Sequence, residues 1–120
     1  MSGTTTHRFE RQPTMRFLMI QKPTDSHPDE KLFAEMGAFI EELTAAGVLL
    51  ATGGLEPGGL LISSHGDEIT VTDGPFAEAK EAAAGFALIE VGTKEEAIEL
   101  ARRFRKIVGD GESTIQQVFG

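Results

Sequence analysis

The chain has 120 residues, of which 40% are hydrophobic and 25% charged, enough for one domain of ordinary globular composition and too little for two. Nineteen acidic against eleven basic residues give a net charge of −8, which argues against a nucleic-acid partner, because that affinity comes largely from Lys and Arg neutralising phosphates. The absence of cysteine removes disulfides, thiol catalysis and thiolate metal sites, and fits a cytoplasmic protein.

Residues 1–14 read as a polar, mobile extension without the apolar segment of a secretory signal, and the domain is expected to occupy residues 15–120. No apolar run approaches the roughly 18 residues that cross a bilayer, so no membrane association is expected. Met15 to Gln21 is almost continuously apolar, as in a strand covered on both faces. After a proline-containing break, Ser26 or Asp29 can cap a helix running to about Ala46. Its stripe is Leu32, Met36, Phe39, Ile40 and Leu43, and Gly47 is its stop. Val48 to Thr52 reads as a second strand, and residues 53–59 as a glycine-rich loop lacking the residues of a phosphate-binding loop. Residues 60–63 and 69–72 form a predicted hairpin that turns at residues 65–68.

The Ala-rich residues 76–84 suggest a helical turn or two, and Gly85 to Val91 a strand. Thr93 and Glu96 match a capping box for a helix that buries Ala97, Leu100, Ala101, Phe104 and Val108 and stops at Gly109. Arg102, Arg103, Arg105 and Lys106 crowd its end, where cations suit the helix dipole and solvent. Residues 114–119 alternate like a half-buried last strand. This order predicts an α+β, ferredoxin-like sandwich with an antiparallel sheet and two main helices on one face. The bare face of the sheet calls for a cover, which a homodimer packing sheet on sheet would supply.

Asp73-Gly74-Pro75-Phe76 gathers a carboxylate, a permissive backbone and a ring at a strand end. Asp73 there has two readings: a proton shuttle raised in pKa by burial, or a cap for its own turn, the more ordinary use of Asp in such a place. Glu78 and Lys80 follow closely and read as a solvated pair, and Glu56 is a second carboxylate, in the glycine-rich loop. His7, His27 and His65 share no metal-ligand spacing, so no metal site is expected.

The run from Val71 to Glu81, VTDGPFAEAKE, resembles the signature of the DGPF branch of the YCII-related proteins. Three further blocks look like that family in the same order: residues 37–50, residues 85–86 with 94–99, and residues 115–119. The resemblance implies a dimeric α+β barrel of ferredoxin-like subunits. Some relatives carry a His on the first helix and an Asp near the end of the second, proposed as a catalytic pair. An ungapped alignment places these on Met36 and near Phe104, two apolar stripe residues, so the pair is not expected in this chain. Close relatives also have His where this chain has Glu56. One relative is a dehydrochlorinase, and the wider superfamily includes muconolactone isomerases and cofactor-free oxygenases.

Two functions follow from this likeness. One is a small organic ligand held in a dimer cleft lined by Asp73, Phe76 and the glycine-rich loop of residues 53–59, with Gly74, Glu56 and Glu78 as further ligand contacts and cofactor-free proton transfer or elimination at Asp73. The alternative is a non-catalytic regulatory module, since DGPF proteins are often found beside extracytoplasmic-function sigma factors. Neither reading calls for a cofactor.

Overall fold

The computed structural model describes residues 14–24, 29–73 and 83–120. Within them the chain runs β1 (Met15–Gln21), α1 (Glu30–Ala45), β2 (Leu49–Gly54), β3 (Leu60–His65), β4 (Glu68–Asp73), β5 (Gly85–Val91), α2 (Lys94–Val108) and β6 (Ser113–Val118). Four strands form one antiparallel sheet in the order β2-β5-β1-β6, while β3 and β4 pair only with each other. With the hairpin set aside, β-α-β-β-α-β in this order is the ferredoxin-like arrangement. The sheet of a single chain is open and does not close into a barrel. Residues 1–13 of the predicted extension (residues 1–14), the cap candidate Ser26, and residues 76–82 of the predicted helical turn (residues 76–84) lie outside the described residues.

Local chemistry sets the helix ends. Of the two candidate caps, Asp29 is in place: its Oδ1 accepts the Leu32 N–H at 2.8 Å. Gly47, at φ 77°, then carries the chain out of α1 through a left-handed residue. At α2 the Thr93 hydroxyl accepts the Glu96 N–H at 3.1 Å, and the Glu96 carboxylate reaches back to the N–H groups of Gly92 and Thr93, completing the capping box.

The period of two along the central strands divides the sheet into two faces. Phe17 and Met19 on β1 and Ile89 and Val91 on β5 point toward the helices, with Phe17 opposite Ile89, and these are among the most buried residues of the chain. Ala97 on α2 is fully buried and lets the helix approach the sheet closely. The opposite face presents Leu18, Ile20, Phe86 and Leu88, half-buried by their neighbours within the sheet. Among the described residues, no element packs over it.

The β3–β4 hairpin turns through Gly66 (φ 62°) and Asp67 and touches no other described element. Its cross-strand partners put Leu60, Ile62, Ile69 and Val71 on one side and Leu61, Ser63, Thr70 and Thr72 on the other. The first four are 57–68% exposed, so the hairpin is an arm with one apolar side facing water.

Candidate functional site

On the helix-facing side of the sheet the large side chains stop before the strands do. Along β5, Val91 and Ile89 fill the core, and Ala87 and Gly85 then follow on the same face. Across from them lie Met19 and Gln21 on β1, with Thr52 and Gly54 on β2. A cavity of about 550 Å³ opens above this thinned floor, beneath Met36, Phe39, Ile40 and Leu43 of α1 and beside Leu100 and Phe104 of α2. Phe33, 65% exposed, stands in its lining as well. Gly85 is needed for a second reason. A Cβ there would sit 3.2 Å from the Gly53 carbonyl oxygen, so the glycine permits the close approach of β2 and β5. Thr52 donates its hydroxyl to the Phe86 carbonyl at 2.9 Å, turning its polar atom onto backbone.

The charged lining residues are Lys22, Arg105 and Asp110. Arg105 donates through Nη1 to Gln21 Oε1 at 3.1 Å and to Ser113 Oγ at 3.2 Å, and through Nη2 to the Gly109 carbonyl at 2.7 Å. Ser113 Oγ in turn donates to Gln21 Oε1 at 2.7 Å, tying the end of β1 to the start of β6. Elsewhere the lining is almost entirely apolar, which suits a hydrophobic ligand body and offers no acid or base to its middle.

Outside the cavity, Arg103 makes a two-pronged ion pair with Glu42 at 2.8 and 3.0 Å and lies 4.8 Å from the centre of the Phe39 ring, bridging α2 to α1. The hydrogen bond from Arg103 holds the Glu42 carboxyl below its ordinary pKa and raises that of Arg103. Of the cations read from sequence as dipole partners in solvent, Arg103 therefore joins the helices. Arg105 does meet a carbonyl at the helix end, but it also lines the cavity.

Asp73 is exposed at the end of β4 opposite Leu60, and Glu56 is exposed in the loop after β2; neither lines the cavity. Gly74, Phe76 and Glu78 lie outside the described residues. Gly53 and Gly54, at the start of the glycine-rich stretch, do line it. So do Met36 and Phe104, the positions aligned with the His and Asp of some relatives. The cavity residues that sequence reasoning missed, Gln21, Ala87 and Arg105, come from three separate elements. The one signal available was that alignment, which points at both walls. Among the described residues, no group of three His, Cys, Asp or Glu could hold a metal ion. No described helix is long and apolar enough to cross a membrane.

The fold and this cavity define a ferredoxin-like α+β protein with a pocket between helices and sheet. The YCII-related domain model matches residues 15–118, and the chain belongs to that family. It is also 38% identical over 77 residues to an uncharacterized protein of Rhizobium meliloti (strain 1021). The match spans 62% of this chain and 61% of that relative.

Proposed function

We propose that the protein binds a compact, largely apolar organic molecule in the cavity between its helices and its sheet, and that it works as a homodimer. The observation that carries the reading is the cavity itself. Its volume, about 550 Å³, falls in the ordinary range of small-molecule sites, and its walls are apolar with polar groups at few points. Met36 and Phe104 in that lining favour holding a ligand over acid–base turnover at the centre of the site. Proton-transfer or elimination chemistry at Asp73, with Gly74, Phe76, Glu56 and Glu78 as proposed ligand contacts, belongs to a dimer cleft separate from this cavity, which Asp73 and Glu56 do not line. The homodimer is supported by the uncovered apolar sheet face and by the exposed side of the arm.

Titration with indole tests the binding reading. Saturable binding to the native chain is expected, with loss of binding in Ala87→Leu, which fills the floor of the cavity. Circular dichroism on the variant controls for overpacking. Unchanged indole binding in a folded Ala87→Leu protein would refute the assignment. Asp73→Asn with unaltered binding and turnover would remove Asp73 from the chemistry, and light scattering that finds a stable monomer at micromolar concentration would remove the homodimer.

A further inference from the structure

Arg105 is a part-buried cation whose hydrogen-bond partners are all neutral. Among the described residues they are an amide oxygen, a hydroxyl and a backbone carbonyl, and no described carboxylate lies within ion-pair distance of it. A guanidinium has five N–H donors, and three bonds are made to described residues, so among these residues Nε–H and the second Nη2 hydrogen are left over. Such a group, partly out of water at the edge of an apolar space, gains most from a planar anion presenting two oxygens. Lys22, also in the lining, makes no ion pair with a described residue, so among the described lining residues Lys22 and Arg105 outweigh the one carboxylate, that of Asp110.

The chain also makes room for this guanidinium. Gly111, at φ 143°, has no Cβ, and one built there would lie 2.6 Å from Arg105 Nη2. The Gln21–Ser113 hydrogen bond fixes the acceptors that aim the group. The orientation is therefore set by three elements, α2, β1 and β6, before any ligand arrives.

We infer that the ligand of this cavity is an amphipathic carboxylate, its apolar body between α1 and the sheet and its carboxylate on Arg105, with Lys22 adding long-range attraction. The inference rests on the binding reading above and narrows it to one chemical class. Hydrocinnamate and its neutral amide, hydrocinnamamide, separate the two. They share a ring and chain and differ in charge.

Calorimetry on the full chain should show hydrocinnamate binding about tenfold or more tighter than the amide, as expected when a hydrogen bond to a charged group is gained. In Arg105→Gln that preference should vanish while amide affinity stays within about twofold. Arg105→Lys should recover part of it, because the charge returns without the fork. Equal affinity of the native chain for the two compounds would overturn the carboxylate assignment and leave the cavity reading standing. A preference that survives in folded Arg105→Gln would overturn the role of Arg105. Binding of neither compound would remove the cavity reading and this inference together.

Discussion

The β1–β5 pair and the β3–β4 hairpin begin from similar local chemistry: antiparallel strands with large apolar side chains in register across the ladder. Their surroundings differ completely. Phe17 and Ile89 face one another under two helices and are 2% and 1% exposed, whereas Ile62 and Val71 face one another in the arm at 57% and 61%. Alternation makes a strand, but only a second layer buries it, and a lone two-stranded ribbon is marginal in water. The helix-facing half of the molecule is thus finished within one chain, including its cavity. The arm and the outer sheet face end in apolar surface that no described element covers.

The difference can be pressed experimentally. Ile89→Ala should have the largest effect, a loss of about 3–4 kcal/mol in denaturant unfolding, since it truncates a side chain buried in the core. An arm counterpart such as Ile62→Ala should cost much less in the stability of the monomer. If the two cost the same, the arm is covered in solution as thoroughly as the core. Val71→Lys comes next: it should weaken self-association at least about tenfold in sedimentation experiments, as a charge does when it must be buried unpaired, and leave indole binding intact. Dimers that persist unchanged would assign the arm to some other contact.

Thr93→Ala should cost about 1 kcal/mol by removing one half of the α2 capping box. A drop of several kcal/mol would mean that the start of α2 is held by far more than its cap. The smallest effect belongs to Glu42. Because Arg103 lowers its pKa, the ionised carboxylate favours the folded chain, fully above the ordinary value of 4.5 and progressively less as pH falls through the lowered one. Glu42→Gln should therefore melt slightly lower than the native chain at neutral pH, and the gap should close on acidification. A gap that widens in acid would contradict the ion pair.

Much of the architecture is legible because its signals are local. Asp29, the Thr93–Glu96 box, Gly47 and Gly109 mark helix ends by chemistry confined to a few residues, and the alternation through Phe17 and Ile89 marks strands. The cavity is not local. It exists because Gly85 and Ala87 on one strand fall opposite Met36 and Phe39 on a helix some fifty residues away, a relation set only by the packed fold. Arg105 was hidden for the same reason. A cation near a helix C-terminus suits the dipole wherever it points, and Gln21 and Ser113 decide where it points. The DGPF corner stands out in the sequence because it sets a carboxylate, a permissive backbone and a ring at a strand end. Of its four residues only Asp73 is described, exposed at a strand end away from the cavity.

Among the described residues, the cavity and the open side of the arm are both apolar regions that a small organic compound could occupy. Nuclear Overhauser contacts from the ring protons of bound indole distinguish them directly. Contacts to the methyl groups of Met36 and Leu43 and to the ring of Phe104 are expected. Contacts to Leu60, Ile62 and Val71 in their place would show that the cavity is not the ligand site.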